Sequence, residues 1–222
     1  MPVRFRVVPG AKAPDHRSEA DRFVSFLSTK RAWSAEEGFM TLDILIDALP
    51  GYAKDLKLNY STLVRQNTEL TPQQLWGTVV ASAIATRSEA LTGAALAAGE
   101  AQLSPQALEA AKSAAAVMGM NNIYYRFLHL TTNDKYSTLP ARLRMNAIRT
   151  HGIEALDFEL WALAVSAING CGKCVDSHEK VVREKGANED LVAAVVRVAS
   201  VVHGIGAVLD AERVRESEPV LA

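Results

Sequence analysis

Asn169-Gly170-Cys171-Gly172-Lys173-Cys174-Val175-Asp176-Ser177-His178 contains both cysteines of the 222-residue chain. They are spaced Cys-x-x-Cys, and His178 follows Cys174 by four. A helix starting near Cys171 puts Cys171, Cys174 and His178 on one face, at i, i+3 and i+7. Twelve residues earlier stands Glu159, in Phe158-Glu159-Leu160-Trp161. Two thiols, one imidazole and one carboxylate make a candidate redox site.

The chemistry explains the residue types. A thiolate is the nucleophile, and an unperturbed cysteine is mostly protonated at neutral pH, with a pKa of about 8.5. A helix N-terminus, with unpaired N–H groups and partial positive charge, favours the thiolate. Lys173 adds a cation between the cysteines, and His178 can carry a proton. Gly170 and Gly172 let the backbone turn tightly into the helix. A thiol three residues away can close a disulfide on an oxidised partner sulfur. Glu159 can orient and charge His178.

Other readings of the cysteines are weaker. Structural zinc needs four ligands; there is no second Cys pair, and His129, His151, His178 and His203 are scattered, so no metal is expected. A structural disulfide over so short a loop constrains the unfolded chain little. Inert core cysteines do not suit a segment flanked by Gly, Lys, Asp and Ser. The missing strand before Cys-x-x-Cys argues against a thioredoxin-like oxidoreductase.

These residues carry a resemblance. Glu159, Cys171-Gly172-Lys173-Cys174 and His178 resemble the Glu, Cys-x-x-Cys-x-x-x-His signature of the alkyl hydroperoxide reductase D family, within the carboxymuconolactone decarboxylase-like group. Leu49 to Asn59, Gln74-Leu75-Trp76-Gly77-Thr78 and Met118-Gly119-Met120-Asn121-Asn122 are also similar, and the likeness spans about residues 40 to 215. It implies an antioxidant thiol peroxidase. The cysteine matching Cys174 attacks an organic hydroperoxide and becomes a sulfenic acid. The one matching Cys171 passes a proton and closes the Cys171–Cys174 disulfide. Glu159 and His178 would form a proton relay. The resemblance further implies no tightly bound cofactor, a dihydrolipoyl group on a 2-oxoacid dehydrogenase component as reductant, a peroxiredoxin partner (alkyl hydroperoxide reductase C type), and a homotrimer. Lys173 departs from the pattern, where a histidine often precedes the second cysteine. Two rivals stay open: a disulfide relay or sensor without peroxide turnover, and a lactone decarboxylase-like enzyme, which would need no dithiol.

Outward from the motif, the chain reads as helix after helix, an all-α protein with no alternating strand pattern. Thr71-Pro72 and Ser104-Pro105 each supply a cap and a first-turn proline. Helices are expected from Ser88 to Gly99 and from Gln106 to Met118. Polar, aromatic Asn121 to Thr138 is expected as a loop or short helix, and Asp157 as the cap of the Glu159 helix. Two related halves follow, about 40–140 and 141–222. Gln74-Leu75-Trp76 echoes Glu159-Leu160-Trp161 and Ser82-Ala83-Ile84 echoes Ser166-Ala167-Ile168, at an offset near 84. The first half is expected to be structural and the second catalytic. Residues 1–39 read as a flexible N-terminal extension. A formal charge of −1 gives no reason to expect nucleic acid or an anionic membrane. No apolar run is expected to reach the ~18 residues of a membrane span. Few cysteines and no secretory pattern point to the cytoplasm.

Overall fold

The computed structural model describes residues 41–217, with side chains through Arg213. The expected extension over 1–39 lies outside the described residues. Within them every regular element is helical and no strand occurs. The α-helices are α1 (Leu42–Asp47), α2 (Lys54–Tyr60, continued by one wider turn over Ser61–Arg65), α3 (Pro72–Thr86), α4 (Glu89–Gln102), α5 (Pro105–Leu130), α6 (Ala147–Thr150), α7 (Ala155–Ile168), α8 (Gly172–Glu184) and α9 (Glu189–Ser217), with short 3-10 turns at Gly51–Ala53 and Asp134–Thr138.

Local chemistry sets the helix starts. The Thr71 hydroxyl accepts the Gln74 amide while the Gln74 side chain accepts the Thr71 amide, a reciprocal capping box with Pro72 in the first turn. Ser104 accepts the Ala107 amide ahead of Pro105. Two sequence expectations change here. Helix α5 does not stop near Met118; it runs to Leu130, through Asn121 and Asn122. Asn122 tolerates the helix interior because its amide donates to Ser166 Oγ at 2.9 Å and its carbonyl accepts from Asn169 at 2.9 Å. Asp157 is not the cap of α7. Glu154 stands at the cap position, and Asp157, buried in the first turn, accepts from Gln73 at 2.7 Å and Gln74 at 3.0 Å.

Helices α3 and α7 lie against each other at the centre, and α5 and α9 each pack on both. The closeness of α3 and α7 depends on Gly77. A Cβ there would fall 2.0 Å from the Trp161 ring. Trp161 is wholly buried, and its Nε1–H donates to the Gln74 carbonyl at 3.2 Å. Phe158, Leu160 and Leu163 complete the buried face of α7. Burying each such side chain contributes roughly 1.5–3 kcal/mol.

Helix α9 corrects another expectation. Its Glu189–Arg213 stretch contains an 18-residue window of mean hydropathy 2.0, long and apolar enough to cross a membrane by length and composition. In this fold its Val195, Val198, Val202, Ile205 and Leu209 are buried in the protein core instead.

The helix ends reveal the repeat more sharply than the sequence echo. Thr71 and Glu154 precede α3 and α7, Arg87 and Gly170 take left-handed conformations after them, and Ser88 and Cys171 precede α4 and α8. Each pair is separated by 83 residues, as are Gln74 and Asp157, which bond to each other. In this register Glu159 matches Trp76, not Gln74 as the sequence echo suggested.

Candidate active site

Helix α8 begins as the motif requires. Gly170, at φ 65°, reverses the chain after α7 in a conformation that suits glycine. Cys171 takes the N-cap position, and its Sγ accepts the Cys174 amide at 3.3 Å. Its carbonyl receives the Cys174 and Val175 amides, both at 2.9 Å. Cys171 and Cys174 are joined as a disulfide, with Cα atoms 5.3 Å apart. Cys171 is fully buried, and Cys174 nearly so. The helix start therefore directs an N–H and its partial positive charge at Cys171 Sγ.

One turn along, His178 Nδ1 meets Glu159 Oε2 at 2.6 Å. Both side chains are about one-eighth exposed, so water screens the pair little. Glu159 comes from α7 and His178 from α8, and the packing of these helices sets the contact. Four expected residues, Cys171, Cys174, His178 and Glu159, thus lie on adjoining helices, with Glu159 and His178 in direct contact.

Helix α5, from the first half, closes the other side. Met118 is buried, and its Sδ lies 3.2 Å from His178 Nε2. Asn122 ties α5 to α7 and to Asn169 in the turn before Cys171. Arg126 donates to the Asn169 carbonyl. The first half is therefore more than scaffold. The sequence reading missed these contacts, because it placed Asn122 in a loop or short helix. Lys173 extends over the Tyr125 ring of α5, with Nζ 5.9 Å from its centroid. That is a weak cation–π contact at an exposed position.

His151, before α7, was expected only as part of a turn. Its ring stacks on Phe158, the neighbour of Glu159, with centroids 4.3 Å apart. Burial lowers its pKa from 6.5; the Glu159 charge partly counters this, and Lys185 adds to it. Among the described residues no group of three or more His, Cys, Asp and Glu is placed to hold a metal ion.

Comparison with known proteins shows the family. The Carboxymuconolactone decarboxylase family model matches residues 135–216, a span holding α6 to α9 and the dithiol. Alkyl hydroperoxide reductase AhpD of Acidobacterium capsulatum is 74% identical over 183 residues, 82% of this chain and 100% of the relative. The protein of that name from Koribacter versatilis is 58% identical over 78% of this chain and 89% of its own length. The one from Streptomyces coelicolor is 51% identical over 81% and 100%. The chain belongs to the alkyl hydroperoxide reductase AhpD family. In this AhpD family member, Glu159, Cys171, Cys174 and His178 lie at the junction of α7 and α8, with Met118 of α5 against His178 and Asn122 of α5 bonded to Ser166 and Asn169.

Proposed function

We propose that the chain is an antioxidant alkyl hydroperoxide reductase that works through a dithiol–disulfide cycle. The observation that carries the reading is the Cys171–Cys174 bridge at the start of α8, backed by the Glu159–His178 pair. Cys174 Sγ, as thiolate, attacks the peroxide oxygen of an organic hydroperoxide. The O–O bond breaks, the alkoxide leaves as the alcohol after taking a proton, and Cys174 becomes a sulfenic acid. Cys171 gives up its proton and attacks that sulfur, expelling water and closing the bridge. The Cys174 amide aimed at Cys171 Sγ supports this role, because it stabilises the charge left on Cys171. Glu159 and His178 would relay the protons through water.

A dihydrolipoyl group on a 2-oxoacid dehydrogenase component, the reductant implied by the resemblance, would return the two electrons and two protons, with no tightly bound cofactor. The reduced site would also regenerate a peroxiredoxin of the alkyl hydroperoxide reductase C type. Lys173 would modulate the thiols by its charge, and the enzyme would work in the cytoplasm. A homotrimer would cover part of the exposed apolar band of Ile123, Phe127, Leu130 and Leu139; sedimentation equilibrium tests that.

The deciding experiment follows peroxide consumption by wild type and Cys174→Ser, coupled to a lipoylated carrier, dihydrolipoamide dehydrogenase and NADH. Turnover in wild type that disappears in the variant supports the reading. A bridge that cycles with the carrier while peroxide is untouched leaves a redox relay and ends the peroxidase proposal.

A further inference from the structure

The His178 ring is held from both sides, and the two contacts together restrict where its protons lie. On one side Nδ1 sits 2.6 Å from Glu159 Oε2. On the other, Nε2 sits 3.2 Å from Met118 Sδ. A thioether sulfur has no hydrogen to donate and only accepts, weakly. A bare Nε2 would therefore point a lone pair at sulfur lone pairs in a buried contact. The approach is favourable only when Nε2 carries the hydrogen.

That fixes the other side. If the ring is neutral, Nδ1 is bare, and Glu159 must carry the proton between them. If the ring is charged, Nδ1–H donates to the Glu159 carboxylate. Both states have the same proton count: the pair holds two dissociable protons and is neutral overall. The excluded state is the one with ionised Glu159 and a neutral ring protonated at Nδ1 alone.

We propose that Met118 is a positioning residue, whose thioether accepts Nε2–H and keeps the Glu159–His178 pair loaded with its extra proton while the disulfide is closed. This deepens the peroxidase reading and rests on it for its role in turnover. The reductant's first sulfur, as thiolate, bonds to Cys174 Sγ after giving its proton to solvent, and Cys171 leaves as a thiolate that must be protonated before the site can begin again. A loaded pair supplies that proton through water. The reductant's second thiol then closes its own disulfide, gives up the proton that reloads the pair, and expels Cys174 as the thiolate that attacks peroxide. Two electrons and one proton stay at the site, and the other proton goes to water.

The surroundings suit a neutral, loaded pair. Helix α5 faces it with the uncharged Met118 and Asn122, and Arg126 on the same helix is committed to the Asn169 carbonyl. The charged groups of α8 nearby, Lys173, Asp176 and Glu179, are outside the contact and at least partly exposed. On the α7 side His151 feels the Glu159 charge, and Lys185 acts on His151. Asn122 Nδ2 lies 4.0 Å from Met118 Sδ, while its shorter bond runs to Ser166. The second amide hydrogen of Asn122 faces Sδ at that longer distance, so the sulfur is an acceptor toward this neighbour too, with His178 the closer one.

The test uses Met118→Leu, which conserves volume, and Met118→Gln, whose carbonyl again offers an acceptor. In the oxidised protein, side-chain 15N shifts of His178 at pH 7 are expected to show a hydrogen on Nε2 in wild type. That signal should weaken in Met118→Leu and return in Met118→Gln, with thermal unfolding little changed in the leucine variant. In turnover, the alkaline limb of the pH–rate curve should move toward acid in Met118→Leu and return in Met118→Gln. Identical 15N shifts in wild type and Met118→Leu, or a bare Nε2 in wild type, overturn the proposal. The NMR readout needs no peroxide chemistry, so failure of the peroxidase reading would be recognised separately.

Discussion

The two halves of the molecule share a backbone plan and differ in what stands at matched positions. In the second half Cys171 caps α8, Cys174 follows in its first turn, and His178 one turn later faces Glu159 of α7. At the spacing of 83 set by the helix ends, the first half has Ser88, Leu91, Ala95 and Trp76. Ser88 and Leu91 are as buried as the cysteines. The helix start is therefore available twice, and its amide charge alone makes no redox centre. The sulfur pair and the carboxylate–imidazole contact distinguish the halves.

The largest effect is expected at the sulfurs. Cys174→Ser should reduce peroxide turnover to background while the circular dichroism spectrum stays helical. The matching graft sharpens the comparison. Ser88→Cys with Leu91→Cys, in a chain whose own cysteines are serines, should close a bridge detectable by mass spectrometry yet consume no peroxide. Turnover there would show that a dithiol at a helix start is sufficient. Next come Glu159→Gln and His178→Ala, each expected to lower kcat/KM by about 10²–10⁴-fold, the usual worth of positioned proton transfer. A loss under threefold would remove the relay from the mechanism.

The interface between the halves comes next. Gly77→Ala forces a methyl into the Trp161 ring and should cost about 3 kcal/mol, at the upper end for overpacking. Urea unfolding checks this; an unchanged midpoint would mean that α3 and α7 can separate freely. The smallest effect concerns His151. Its folded-state pKa lies below the ordinary 6.5 because burial disfavours the charged ring. The unfolded chain therefore takes up the proton first as pH falls. Stability should decline from about pH 6.5 downward until the folded pKa is passed, then lose no more from this group. Melting temperature should fall less over that window in His151→Gln than in wild type.

What the sequence disclosed follows from the range over which each signal acts. Cys-x-x-Cys, its glycines and the histidine seven residues after Cys171 lie within two turns, and helical periodicity alone puts them on one face. Thr71-Pro72 and Ser104-Pro105 mark helix starts by equally local chemistry. Glu159 was legible through the family signature. Met118 was not, because its role depends on α5 crossing from one half to the other, and a methionine in an alanine-rich helix resembles core filler. Asn122 misled for a physical reason: an asparagine weakens a helix interior unless a partner satisfies it, and the partners of Asn122, Ser166 and Asn169, lie more than forty residues away. Asp157 has the right residue type for a cap, but the buried amides of Gln73 and Gln74 hold it instead.

Helix α5 belongs to the first half by chain order, yet it packs on α7 and α8. Neither half can be cut out as a folding unit. A fragment ending near residue 140 would expose the face that α7 covers, and the complementary fragment would leave Trp161 and His178 without their neighbours. Unfolding should be a single cooperative event. The slowest-exchanging amides should lie in α3, α5 and α7 together, so that the integrity of the candidate site is tied to the global stability of the chain.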